Sequence, residues 1–289
     1  MKRLILAVIC FLSLGAASAQ NGQVHETRQV KSTILKMDRN YSIYLPPGYD
    51  KSDQSYPVLY LLHGSGDNHT GWVQFGQVRH IADKAIADGT SAEMIIVMPD
   101  ADTGTKGYFN AVDGKFNYED FFFQELIPHI EKEYRVRSDR RYRAVSGLSM
   151  GGGGTIFYAL HRPDLFAAAA PLSAATGYWD FEQFKTRMGS ATSSVSDQQL
   201  NDYFNRHNIE SLIKNSSADN LKKIKDIRWY VSCGDDDFLY EGNANLHILF
   251  HKNEIRHEYR VKDGGHTWTY WRQELPLVLE FVSKSFMQY

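Results

Sequence analysis

"AVSGLSMGGGGTI", residues 144–156, decides how the chain is read. Ala144-Val145-Ser146 is a short β-prone run, and residues 155–161 have a helical pattern. Between them stands Gly147-Leu148-Ser149-Met150-Gly151, a G-x-S-x-G pattern. With Gly and Ser each about 7% of residues, chance alone supplies this pattern in roughly one chain in ten of this length. Its context makes it specific: a strand before, a helix after and small residues at the turn predict a sharp strand-to-helix corner that aims the Ser149 hydroxyl out of a sheet. Gly147 and Gly151 lack the Cβ atoms that would collide when strand and helix approach so closely. The competing reading, a glycine-rich phosphate loop, lacks both the lysine of a P-loop and the dinucleotide spacing.

Working outward, residues 56–62 ("YPVLYLL") and 94–98 ("MIIVM") are continuous apolar runs, as strands buried on both faces should be. Residues 228–233 and 258–261 read as later strands, and 166–172 as a short apolar run ending near Pro171. Helical periods fall at 79–88, 118–134, 243–253 and 271–286; Phe122, Leu126, Ile127, Ile130 and Tyr134 share one face of the second. Near the start, 29–35 and 39–45 read as an antiparallel hairpin turning at Met37-Asp38-Arg39-Asn40. The alternation predicts an α/β fold: a mostly parallel sheet with an antiparallel N-terminal hairpin and helices on both faces. Sites on such sheets lie at the carboxyl ends of the strands. The polar stretch 176–226 interrupts the alternation and reads as a cap insertion within a single domain, 20–289.

The first nineteen residues combine Lys2-Arg3, the apolar run 4–14 and Ala17-Ser18-Ala19, the three parts of a secretory signal peptide. A secreted or periplasmic protein is expected, with no membrane span. Cys10 leaves with the leader, and Cys233 reads as a small buried hydrophobe. The formal net charge of −2 offers no basic surplus for phosphates, so a nucleic-acid partner is not expected.

A serine hydroxyl needs a base to accept its proton, and in this architecture the base follows an acid late in the chain. His266 lies in Asp263-Gly264-Gly265-His266-Thr267-Trp268, a loop just past a strand end, where a base between nucleophile and leaving group belongs. His257 enters its strand from the opposite end and reads as structural. His247 and His251, four apart on a helix, are spaced to share a metal, but no third ligand with matching spacing is evident, and the pair reads as helix surface. The acid is expected after the strand 228–233, where Asp235, Asp236 and Asp237 follow Gly234; spacing does not choose among them. An oxyanion hole needs two backbone N–H groups. One is that of Met150, after the nucleophile. The other belongs to the loop His63-Gly64-Ser65-Gly66, with Ser65 preferred and Gly66 second, while the His63 side chain holds the loop.

"YSIYLPPGYD", "YPVLYLLHGSGD", "FFQELIPHIEKEYRV", "GLSMGG", "CGDDDFLY" and "GGHTWTYW" occur in this order over nearly all of the mature chain. In this the chain resembles the esterase family of α/β-hydrolases that includes feruloyl esterases, acetyl xylan esterases, S-formylglutathione hydrolases, enterochelin esterases and mycolyltransferases. The resemblance implies a Ser-His-Asp hydrolase working without cofactor or metal. It selects Asp237, the last acidic position before the Phe-Leu pair, as the acid. Secretion argues against S-formylglutathione hydrolase, whose thiol substrate is cytosolic. The favoured substrates are feruloyl or acetyl esters of plant polysaccharide such as xylan. Siderophore esterase or acyltransferase is the enzyme alternative, and a catalytically dead carbohydrate-binding module the other. Trp72, Phe75, Tyr108, Phe109, Trp179 and Trp268 are candidates to stack on a sugar or a hydroxycinnamoyl ring.

Overall fold

The computed structural model describes residues 21–101, 107–189 and 195–287. The leader expected at 1–19 lies outside them. Among these residues eight strands form one sheet: β1 (Gln23–Ser32), β2 (Met37–Leu45), β3 (Val58–Leu62), β4 (Ile95–Pro99), β5 (Arg143–Leu148), β6 (Ala168–Leu172), β7 (Arg228–Gly234) and β8 (His257–Lys262). Their order is β1-β2-β4-β3-β5-β6-β7-β8. β1 and β2 are antiparallel to their neighbours, and every pair from β4 onward is parallel. This is the expected α/β-hydrolase architecture.

The apolar runs are continuous because successive side chains enter different cores. Val58, Tyr60 and Leu62 join one cluster with Val145, Ala169, Trp229 and Val231. Leu59 and Leu61 join the other with Ala144, Ala168, Ala170 and Tyr230. The strand period of two thus fills both faces at once. The first face is covered by α3 (Tyr118–Phe121), a π-helical turn (Phe122–Leu126), α4 (Ile127–Glu133), α5 (Met150–His161) and α10 (Tyr240–Lys252). The second is covered by α1 (Gly71–Gln74), α2 (Val78–Ala87) and α11 (Trp268–Met287). Cys233 is buried in β7. Among the described residues no helix is long and apolar enough to cross a membrane.

Among the described residues of 176–226 are four short helices: α6 (Phe181–Met188), α7 (Asp197–Arg206), α8 (Ile209–Lys214) and α9 (Ala218–Lys225). Phe184, Leu200 and Phe204 give this cap a small core of its own.

The hairpin turn is a correction. Ser32 pairs with Met37, so the chain turns at Thr33-Ile34-Leu35-Lys36, and Arg39 sits within β2 opposite Val30. Glu125 explains the placement. Its carboxylate accepts from the backbone N–H groups of Thr33 (2.9 Å) and Ile34 (3.2 Å) and from the hydroxyls of Ser32 and Thr33. Lys36 closes the turn at φ 56°. A partner some ninety residues away selects one turn-compatible segment over the next.

Candidate active site

The corner between β5 and α5 carries Ser149 at φ 55°, ψ −116°, a region that costs a non-glycine residue about 1–3 kcal/mol. Neighbouring backbone holds it there. The Ser149 N–H donates to the Leu172 carbonyl on β6 (3.0 Å), and its own carbonyl accepts from Gly153 N–H (3.0 Å) and Ala175 N–H (2.9 Å). A Cβ on Gly147 would lie 2.6 Å from the Gly151 carbonyl oxygen. One on Gly151 would lie 2.6 Å from the carbonyl oxygens of both Leu62 and His63. The glycines are needed for close approach, while the strained conformation belongs to the serine itself. The helix takes in the whole glycine run, starting five residues earlier than its pattern predicts.

The loops after β5, β7 and β8 bring Ser149, Asp237 and His266 together. The Ser149 hydroxyl donates to His266 Nε2 (2.8 Å), and His266 Nδ1–H donates to the Asp237 carboxylate (3.0 and 2.9 Å to its two oxygens). This fixes the neutral imidazole with its proton on Nδ1 and its lone pair toward the serine. Asp237 is fully buried, whereas Asp235 and Asp236 are exposed. Burial alone pushes the Asp237 carboxyl up. Hydrogen bonds from His266, the Leu239 N–H and Ser173 outweigh burial and hold the carboxyl below its ordinary range. Ser173 is missed by sequence reasoning. It takes a positive φ of 44° and accepts from Trp271 Nε1 (3.0 Å), so α11 braces the acid through it.

His63 is almost fully buried, with both ring nitrogens committed to backbone. Nδ1–H donates to the Gly64 carbonyl (2.9 Å), and Nε2 accepts from Ala101 N–H (3.0 Å). Burial pushes this imidazole down, in keeping with the neutral form the acceptor requires. In a trans peptide the N–H points opposite to the carbonyl, so anchoring Gly64 C=O directs the Ser65 N–H away from His63. Met150 is the first residue of α5, where backbone N–H groups have no intrahelical acceptor. Ser65, Gly66 and Ser149 line one cleft of about 300 Å³, with Phe75, His266, Trp268 and Trp271 among its other walls.

The aromatic candidates divide. Trp268 lines the cleft and meets the half-exposed Phe75 at 5.9 Å between ring centroids. Phe238, whose ring lies 4.5 Å from that of His266, is 72% exposed and was not among the candidates. Trp72 and Tyr108 are corrections, because both are buried and offer a ligand no surface. Trp72 Nε1 donates to the Leu62 carbonyl (3.0 Å), and its ring props up Trp268 edge-on. The Tyr108 hydroxyl accepts from His63 N–H (2.8 Å) and donates to the His63 carbonyl (3.1 Å). Both brace strand-end loops from beneath. Phe109 packs edge-on against Phe157. Trp179 packs from the cap against the core and is not among the cleft-lining residues.

Comparison with known proteins identifies the family. The family model described as "Putative esterase" matches residues 32–281. An endo-1,4-β-xylanase/feruloyl esterase of Xylanibacter ruminicola is 41% identical over 142 residues, which are 47% of this chain and 19% of that much longer protein. An acetyl esterase of Caldicellulosiruptor saccharolyticus is 24% identical over 278 residues, 88% of this chain and 96% of its own length. A solved ferulic acid esterase superposes with a TM-score of 0.80 at 34% identity, over 92% of this chain and 99% of its own. The chain belongs to the esterase family of α/β-hydrolases.

Proposed function

We propose that the protein is a secreted serine carboxylic-ester hydrolase that releases hydroxycinnamoyl or acetyl groups from plant cell-wall polysaccharide. The observation that carries this reading is the unbroken hydrogen-bonded chain from Ser149 Oγ through His266 to buried Asp237. In the first step His266 Nε2 takes the Ser149 proton as Oγ attacks the ester carbonyl, and Asp237 stabilises the imidazolium that forms. The N–H groups of Met150 and Ser65 receive the developing oxyanion. His266 then gives its proton to the departing alcohol, leaving an acyl-serine. Water repeats the sequence to free the acid and restore Ser149. The whole domain, 20–289, acts as one unit in this account, with 1–19 a leader.

Phe75 and Trp268 in the cleft wall, with the exposed Phe238 ring against His266, support a planar aromatic acyl group, because offset rings gain about 0.5–1.5 kcal/mol beyond burial. The ferulic acid esterase and the xylanase/feruloyl esterase among the relatives point the same way. A second reading, deacetylation alone, is favoured by the modest cleft and by the acetyl esterase relative, which is matched over nearly its full length. Incubation with methyl ferulate, acetylated xylan and a siderophore ester, with identification of the released acid, separates these readings. Ferulate release supports the first, acetate alone the second, and hydrolysis of only the siderophore ester contradicts both. No release from any of the three is the outcome for a catalytically dead binding module.

A further inference from the structure

The far end of the sheet carries a histidine cluster that ester hydrolysis does not use. His247 and His251 lie one turn apart on α10, and the fold supplies the neighbour that their spacing alone does not reveal. β8 begins at His257, and register with β7 sets this residue beside the helix. His247 Nδ1 and His257 Nε2 face each other at 2.7 Å. The His257 Nδ1–H donates to the Ile255 carbonyl (2.8 Å), which fixes its tautomer and leaves the Nε2 lone pair pointing at His247. The His247 ring is held flat against Tyr259, 4.5 Å between centroids and 12° from parallel. His251 is exposed, its ring 6.4 Å from that of His247. All three line one open recess that also presents Glu254 and Asp226.

We propose that His247, His257 and His251 form a binding site for a divalent transition-metal ion of the Zn2+ or Cu2+ class. Imidazole nitrogens suit these ions, and a ligating histidine characteristically donates its other N–H to a carbonyl or carboxylate, as His257 does to Ile255. Zn–N bonds of about 2.0–2.1 Å in tetrahedral geometry set two ligand nitrogens about 3.3 Å apart, so the rings part by roughly half an ångström. His247 carries its proton on Nε2 when Nδ1 binds. His251 reaches the ion by a rotamer change at an exposed position, and water takes the remaining place. The ion ties α10 to the start of β8 and stabilises the fold by mass action, at the opposite end of the strands from Ser149.

The test uses the full chain without a polyhistidine tag, stripped with chelator and titrated calorimetrically with ZnCl2. The expected result is one ion per chain. Loss of a second-shell partner costs metal sites about 10–100-fold in affinity, so loss of a ligand in His257→Ala or His247→Ala is expected to cost at least about 100-fold. His251→Ala, on the exposed helix face, keeps the fold and, as loss of a ligand, is likewise expected to cost at least about 100-fold. Bound Cu2+ should show nitrogen hyperfine coupling in its EPR spectrum that weakens in each variant. Hydrolysis of an aryl acetate serves as the check that the variants are folded. Failure of the wild type to bind Zn2+, or affinity and spectrum unchanged in His251→Ala and His257→Ala alike, would overturn the proposal.

Discussion

The strand-end rim around Ser149 and the cap over 176–226 are assembled on different terms. On the rim, each group of the candidate site is fixed by groups remote in sequence. Leu172 and Ala175 hold Ser149, Ser173 and Trp271 brace Asp237, and Ala101 and Tyr108 hold His63, which anchors Gly64. In the cap, each helix is started by its own neighbour. The side chains of Asp180, Ser196, Asn208 and Ser217 accept N–H groups three residues on; α6 and α7 share a small core of Phe184, Leu200 and Phe204, while α8 and α9 send Ile209, Ile213 and Ile224 into the main core. A framework made of long-range backbone bonds holds reacting atoms to fractions of an ångström. A locally capped insertion can change its sequence with less effect on them.

The contrast breaks most sharply at Asp237. Asp237→Asn keeps the shape but presents an amide to His266 Nδ1, favouring the wrong tautomer; kcat on an aryl acetate is expected to fall by about 10⁴-fold. Full activity in that variant would remove the acid from the account. Gly151→Ala comes next. Its new Cβ meets two backbone carbonyls that cannot step aside, so denaturant unfolding should show a loss of about 1–3 kcal/mol together with reduced activity. In the cap, Ser196→Ala removes a reciprocal capping box with Gln199 and should cost about 1 kcal/mol. Aryl acetate kinetics should stay unchanged, and an equal loss of turnover would show that cap and rim are not separable.

A pH-dependent effect concerns the contact between α5 and the cap, where two neighbouring histidines are shifted in opposite directions. Burial lowers His161, but the Glu119 carboxylate on Nδ1 and the Arg206 carbonyl on Nε2 together hold its pKa above the ordinary value. Its contribution is complete below about pH 6.5, the unfolded value, and is lost as pH rises through the raised folded value. His207, beside it, is pushed down to about 3 by burial. The unfolded chain protonates this ring below about pH 6.5 while the folded chain does not, so its contribution falls from there toward pH 3. His207→Phe should therefore flatten the fall in Tm between pH 6.5 and pH 4, read against the wild type in the same buffers. Parallel curves would contradict the assignment.

The same division explains what could be read from the sequence. The sheet, the corner at Ser149 and the choice of His266 rest on local patterns and chain order, and are legible. The hairpin turn is misplaced because Glu125 settles it from across the molecule. Trp72 and Tyr108 look like loop aromatics until packing buries them. Ser173 has no motif at all, and His257 meets His247 only because β8 runs beside α10.

The most direct test of the central claim is to label the protein with a fluorophosphonate and map the modified peptide by mass spectrometry, in the wild type and in Ser149→Ala. The account predicts one label, on Ser149, absent from the variant, whose kcat on an aryl acetate falls by about 10⁵-fold or more. A label on another residue, or a Ser149→Ala protein that turns over at the wild-type rate, would contradict it.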